Sequence, residues 1–303
     1  MVLHPEIQGN SKIDIALETT ELIKKLRKIE IRTRGLSNQV FAGEYHSAFR
    51  GKGISFSEVR EYNFGDDIRN IDWNVTARFN HPFVRVYEEE RELTVILMID
   101  VSGSGAFGTA RQFKSDTMTE IAALLSFSAI ANNDKIGVVF FSDKVEKFIP
   151  PQKGRKHILR VIRELLDFRP EHKASSLDEP LRFITNAIKK RSIVFVLSDF
   201  IMPEFYKPMQ IASGKHDVVA VRVYDKREAE LTDIGFVRIK DAETGEERWI
   251  DTSPKSNRAR YAFWWNQHSL NIRNTFRRCG VDYAEIHTEE DYVRPLINLF
   301  KRR

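Results

Sequence analysis

Leu93-Thr-Val-Ile-Leu-Met-Ile-Asp-Val-Ser-Gly-Ser-Gly105 is the stretch on which the reading of the fold turns. Leu93 to Ile99 are apolar or β-branched without interruption and run straight into Asp100. The run is far short of the roughly 20 residues that cross a bilayer. It is also too uniform for a half-exposed strand, so it reads as a central strand buried on both faces. Beyond it the chemistry changes. Asp100, Ser102 and Ser104 alternate with Val101, Gly103 and Gly105, which sets one carboxylate and two hydroxyls in a tight, glycine-permitted turn. A turn leaving the carboxyl end of a buried parallel strand stands where open α/β sheets bind their ligands.

Toward the C-terminus, apolar spacing predicts a helix over Thr109–Asn132, a strand over Lys135–Phe141 and a short edge strand over Val145–Ile149 before Pro150-Pro151. A helix over Lys156–Phe168 follows. The polar loop Lys173-Ala-Ser-Ser-Leu-Asp-Glu-Pro-Leu181 then opens a helix reaching Lys190. Ser192-Ile-Val-Phe-Val-Leu-Ser-Asp199 repeats the design of the first stretch, an apolar strand closed by a carboxylate. A helix over Pro203–Ser213 and a strand over His216–Val223 come next. Two alternating runs around Glu243-Thr-Gly245 signal a hairpin within about 235–251. Asn257–Cys279 reads as a helix carrying Trp264 and Trp265, Tyr283–Ile286 as the last strand and Tyr292–Arg303 as the last helix. This alternation predicts an α/β fold with a doubly wound, mostly parallel six-stranded sheet.

The N-terminal third is different. Ile13, Ile15, Leu17, Leu22, Ile23, Leu26 and Ile29 suit an amphipathic helix over 11–34 with Gly35 as its stop. Residues 41–92 carry short strand-like runs punctuated by glycine. Among them lies Arg60-Glu-Tyr-Asn-Phe-Gly-Asp-Asp-Ile-Arg-Asn-Ile-Asp-Trp73, then Thr76-Ala-Arg78. Asp66, Asp67 and Asp72 there are either a second acidic metal or catalytic site, or part of a polar network in which Arg69 and Arg78 hold carboxylates around Trp73. Arginine beside carboxylates competes with a metal, which favours the network. The chain is expected to divide into residues 1–90, a helix with an accessory β segment, and 91–303, the α/β body with its inserted hairpin.

With 303 residues, 42% of them hydrophobic and 30% charged, there is apolar material for one large domain and an appendage. The first residues lack a basic and apolar leader pattern and no apolar segment is long enough to span a membrane, so a cytoplasmic location is expected. Cys279 is the single cysteine, which excludes an internal disulfide and fits a reducing compartment. The net charge of +5 is modest, and its basic clusters at 24–28 and 301–303 lack interleaved aromatics, so nucleic-acid binding is not expected.

In a parallel sheet, the loops after Asp100 and Asp199 share one rim with the hydroxyls of Ser175 and Ser176. Asp100, Ser102, Ser104, a Ser175 or Ser176 hydroxyl and Asp199 are all hard oxygen donors, which favour Mg²⁺, then Mn²⁺ or Ca²⁺, over zinc or copper. Two carboxylates against a divalent cation leave it electrophilic and open to an external anion. The helix expected directly after the turn would add its positive end. No histidine lies in these loops to serve as a base, which argues against hydrolysis. His172 reads as a loop residue.

Asp100-x-Ser102-x-Ser104, a later hydroxyl and Asp199 resemble the metal-ion-dependent adhesion site of von Willebrand factor type A domains. There the two serines and a threonine touch the ion, aspartates act directly or through water, and a ligand's acidic side chain completes the shell. Ser175, in Lys173-Ala-Ser-Ser-Leu-Asp178, stands in the threonine's place. Gly51 to Phe56, Arg60 to Trp73, Ala77-Arg78, Ser198-Asp-Phe200 and Asp241-x-Glu-Thr-Gly245 further resemble the bacterial family catalogued as domain of unknown function 58. Gly105 departs from the methionine usual there. The resemblance implies a non-enzymatic adaptor that works with MoxR-type AAA+ ATPases and membrane-borne type A domain proteins. The alternative from another class is a metal-dependent phosphohydrolase or nuclease using Asp66, Asp67 and Asp72.

Overall fold

The structure, a computed structural model, describes residues 27, 29–30, 42–49, 54–89, 93–106, 108–109, 112–240 and 245–303. The chain forms two units, residues 49–93 and the remainder. The helix Ala42–Ala48 (α1) therefore belongs with the large body instead of the accessory segment, and its buried Tyr45 meets the ring of Phe300 edge-on at 5.9 Å. Most of the expected 11–34 helix lies outside the described residues. Within it, Ile29 is buried with Phe127 and Ile158, and Glu30 accepts from Arg155.

The small unit is an antiparallel hairpin of Ile54–Glu61 (β1) and Phe83–Glu89 (β2), bridged by the helix Trp73–Phe79 (α2).

In the large body the strands are Thr94–Asp100 (β3), the two-residue pair Gly108–Thr109 (β4) and Gln112–Phe113 (β5), Lys135–Phe141 (β6), Val145–Gln152 (β7), Ile193–Ser198 (β8), Asp217–Tyr224 (β9), Phe236–Lys240 (β10), Glu247–Asp251 (β11) and Asp282–His287 (β12). Six of them form the main sheet in the order β12-β9-β8-β3-β6-β7, parallel throughout except for the β6–β7 edge. Counted along the chain and read from β7, this is the doubly wound order 3-2-1-4-5-6, whose switch point lies between β3 and β8. The expected six-stranded sheet is thus present. The hairpin β10–β11 stands apart as its own two-stranded sheet.

The apolar run works as its composition dictates, with every residue from Val95 to Asp100 buried. Ile96 and Met98 share one core with Leu181 and Ile184 of Asp178–Ala187 (α5), Met209 and Ala212 of Tyr206–Lys215 (α6) and Phe276 of Lys255–Cys279 (α8). A second core joins Ala123 and Phe127 of Lys114–Ala131 (α3) to Ile158 and Ile162 of Arg155–Asp167 (α4). The short Lys226–Ala229 (α7) follows β9, and Val293–Lys301 (α9) ends the chain.

The edge strand is longer than expected and takes in Pro150 and Pro151, whose missing N–H groups are tolerable only at an edge. The register slips between Ile136 and Val138, and at that point Gly137 faces the Pro151 ring. A Cβ on Gly137 would stand 2.9 Å from Pro151 Cγ and 3.0 Å from Ile96 Cδ1, so this position needs glycine for space.

One expectation fails. The helix does not follow the Asp100 turn directly. A single tight turn, Gly103–Ala106, and the β4–β5 pair intervene, and α3 opens only at Lys114. Gly103, Gly105 and Gly108 favour turns over a first helical turn. No described helix is long and apolar enough to cross a membrane.

Candidate functional site

The carboxyl ends of β3 and β8 bring the distant acids to one rim. Asp100 closes β3 and is buried, and Ser198 and Asp199 close β8 and are equally buried. Asp100 Oδ1 accepts the Ser102 N–H at 3.0 Å, which tightens the turn. Its Oδ2 accepts the hydroxyls of Ser198 at 2.7 Å and Ser175 at 3.0 Å. Ser102 Oγ and Ser104 Oγ lie 3.2 Å apart, with Ser102 buried and Ser104 partly exposed. Ser176 takes a different part, accepting the Asp178 N–H at the start of α5.

Backbone bonds lace the loops together. Gly103 N donates to Lys173 O and Ser176 N to Ser142 O. Glu146 secures the approach to Ser175: it accepts the Ser142 hydroxyl at 2.7 Å and the N–H groups of Glu171 and His172. His172 Nδ1 also lies 3.2 Å from Glu146. Glu146, Glu171 and His172 have the composition of a metal cluster. Yet the Glu146 oxygens are taken by these donors, which makes the group a loop clamp.

Asp199 holds a surprise. Its Oδ1 accepts the Ile201 N–H at 3.0 Å, and its Oδ2 accepts Lys114 Nζ at 2.7 Å, from the first residue of α3. Lys114 is wholly buried and also donates to Glu228 at 2.5 Å. Burial alone would push the Lys114 ammonium down, but Asp199 and Glu228 outweigh it and the net shift is upward. Burial, with Asp199 as a second cause, pushes the Asp100 carboxyl up against the lowering hydrogen bonds of Ser198 and Ser102. The two carboxylates are therefore close enough to repel, while the ammonium occupies Asp199 from the α7 side, where Glu228 lies.

Beneath them Arg222, on β9, is almost fully buried. Its Nε donates to the Asp199 carbonyl at 3.2 Å, and Nη1 donates to Ser269 Oγ at 2.9 Å and Glu285 at 3.2 Å. Lys114, Ser198, Glu228 and Arg222 were not among the expected site residues. Lys114 alone left a faint trace, since it falls in helical register with Met118, Ile121 and Leu125.

The acidic stretch of the small unit is organised otherwise than expected. Arg60 grips Asp66 through two bonds of 2.8 Å, and Asp66 also accepts the Asn63 N–H. Asp67 accepts the Arg69 N–H. Asp72 caps α2 by accepting from Asn74 and Val75 and pairs with Arg85 at 2.8 Å. The arginines that hold these carboxylates are Arg60 and Arg85, not Arg78; Arg69 approaches Asp67 only to 4.0 Å, and Trp73 is exposed. An ion here would have to displace guanidinium groups, so nothing in this arrangement favours a hydrolytic centre.

The donors at the rim fit a hard cation. All are oxygens, and the 3.2 Å between the two serine hydroxyls is near the edge, roughly 3 Å, of an octahedron built on bonds of about 2.1 Å.

Comparison with known proteins agrees in family. The family model described as "Protein of unknown function DUF58" matches residues 58–270. The uncharacterized protein Rv1480 of Mycobacterium tuberculosis strain H37Rv is 29% identical over 307 residues, covering 100% of this chain and 95% of that protein. Among solved structures, BatB of Bacteroides thetaiotaomicron aligns with 69% of this chain and 98% of its own at 13% identity, TM-score 0.44. The SpRpn10 VWA domain aligns with 68% of this chain and 94% of its own at 10% identity, TM-score 0.38.

Proposed function

The chain belongs to the DUF58 family, and from that premise we propose a non-enzymatic, divalent-cation-dependent adaptor that captures an acidic side chain of a protein partner. The observation that carries the reading is Asp100: a buried carboxylate whose hydrogen bonds come from two hydroxyls and one amide, with a second buried carboxylate nearby. Burying a charge in that way is costly without a counter-charge.

Ser102, Ser104 and Ser175 would hold Mg²⁺, or Mn²⁺ or Ca²⁺, with Asp100 and Asp199 behind them. When bound, the cation supplies an electrophilic centre for an external carboxylate. The chain's own residues do the rest. Asp100 orients Ser175 and fixes the Ser102 amide, and the partly exposed Ser104 marks the side from which a partner approaches. His172, the histidine nearest the rim in sequence, is turned to Glu146 and not to the serine hydroxyls, which supports binding over hydrolysis.

The family resemblance supports a MoxR-type AAA+ ATPase as the partner, with membrane-borne type A domain proteins in the same assembly and the chain acting in the cytoplasm. The test is capture of a purified MoxR-type ATPase on immobilised protein. Binding should fall away in EDTA and in Asp100→Ala. Capture indifferent to both would remove the cation from the mechanism.

A further inference from the structure

Among the described residues, Lys114 is a buried cation that pairs directly with a rim carboxylate, and it bears on how the site is charged. Its ammonium lies 2.7 Å from Asp199 Oδ2 and 2.5 Å from Glu228 Oε1, with no exposure to solvent. The other Asp199 oxygen accepts the Ile201 N–H. Both oxygens of Asp199 are thus committed inside the protein. Glu228 is held in its turn: its Oε2 accepts the Asp225 N–H and its carbonyl accepts the Tyr261 hydroxyl at 2.7 Å. Lys114 is therefore fixed by two anchored acids and is not a mobile surface chain that swings aside.

We propose, resting on the metal reading above, that Lys114 is a resident counter-charge that reserves Asp199, keeps the divalent cation weakly held by the protein alone, and so makes cation and acidic partner bind interdependently. Because Lys114 is shared between Asp199 and Glu228, it cancels the Asp199 charge only in part, and an arriving ion meets Asp100 in full and a weakened Asp199 behind the three hydroxyls. The charge that Lys114 offsets at Asp199 is left for the partner's carboxylate to supply. A site with two free carboxylates would hold the ion without help and gain less from a partner. Glu228 sets the balance. It draws the ammonium away from Asp199, so removing the Glu228 charge strengthens the Lys114–Asp199 pair and weakens the cation site further.

The two substitutions therefore act in opposite directions. Mn²⁺ alone is titrated against wild type, Lys114→Met, Glu228→Gln and Ser102→Ala, with free Mn²⁺ followed by electron paramagnetic resonance. The expectation is that Lys114→Met binds Mn²⁺ at least about tenfold more tightly than wild type and Glu228→Gln several-fold more weakly. A second titration adds a glutamate-bearing peptide: wild-type Mn²⁺ affinity should rise with the peptide and that of Lys114→Met should scarcely change. Should Lys114→Met prove unfolded without cation, refolding on adding Mn²⁺ reports the same gain, and Glu228→Gln supplies the opposite arm. If wild type binds Mn²⁺, Ser102→Ala does not, and the Lys114 and Glu228 variants match wild type, the role of Lys114 is overturned while the metal site stands. If no variant and no wild-type protein binds Mn²⁺ with or without peptide, both readings fall together.

Discussion

The Ser175 hydroxyl donates to Asp100 Oδ2 at 3.0 Å across 75 residues of chain, and with it the loop before α5 is tied to the end of the central strand. Both groups are buried. Ser175→Ala removes the donor and leaves that carboxylate oxygen with Ser198 alone. A lost hydrogen bond to a buried charged group should cost about 1–3 kcal/mol of stability in cation-free buffer. The stabilisation that Mn²⁺ brings to wild type should also shrink, because one of three candidate ligands is gone. Urea denaturation with and without Mn²⁺ measures both. A variant as stable as wild type in both buffers would show that this bond organises nothing.

Glu146 gives the same loop a pH dependence. Burial alone would raise its carboxyl, but the Ser142 hydroxyl and the N–H groups of Glu171 and His172 outweigh burial and hold it below the usual range. A carboxyl depressed in the folded state stabilises fully above its unfolded value, about pH 4.3, and that stability is lost as pH falls through the folded value. Glu146→Gln should therefore be less stable than wild type by about 1–2 kcal/mol near neutrality. The gap between the two should close as the pH drops toward 3. Stability against pH for the pair decides the matter, and a gap that persists unchanged to pH 3 would mean that the carboxylate charge plays no part.

The two rim acids were legible because each closes an apolar strand, Asp100 directly and Asp199 after Ser198, a pattern that buried parallel strands impose. The loop offered Ser175 or Ser176 as the further hydroxyl, and it is Ser175 that reaches Asp100; the hairpin was legible from Gly245, which takes a φ of +73°. Lys114 was not, since a lysine at the start of a helix ordinarily faces water. Its burial depends on Asp199 and Glu228, far away along the chain, and such charges go inside only when paired. Arg222 hid in the same way, an ion within the apolar run of the strand Asp217–Tyr224. Its partner Glu285 sits in register on the neighbouring strand, a relationship that only the assembled sheet defines. The delayed start of α3 was missed because apolar spacing marks the face of a helix more firmly than its first turn.

Gly137 supplies a test of the sheet edge. An added methyl would meet the rigid Pro151 ring and Ile96 Cδ1 at or below 3.0 Å. Gly137→Ala should lose about 1–3 kcal/mol through overpacking, with the strain relieved by displacing β7 from β6. Hydrogen exchange should then quicken at amides of Val138 and Phe140, which face β7 in the β6–β7 pairing, while those of β9 and β12 keep their protection. A fully stable alanine variant would mean that the proline pair moves aside freely.

Arg222 is almost fully buried beneath the rim, and its cost of removal depends on who else holds Glu285. Arg273 Nη2 reaches Glu285 Oε2 at 2.5 Å, so the carboxylate is shared by two guanidinium groups. Breaking a buried pair by deleting one partner usually costs about 3–5 kcal/mol because the survivor is left uncompensated. Here Arg222→Met leaves Glu285 with Arg273, and the loss should be nearer 2 kcal/mol, chiefly the bonds to Ser269 and to the Asp199 carbonyl. Arg273→Met, with its side chain partly exposed, should cost less still. Removing both strands Glu285 beside an apolar core, so the double variant should exceed the sum of the single losses by about 1 kcal/mol or more. A double-mutant cycle in urea measures that excess. Strict additivity would show that each arginine serves its own neighbours and that Glu285 is not the joint between the rim and the last strand.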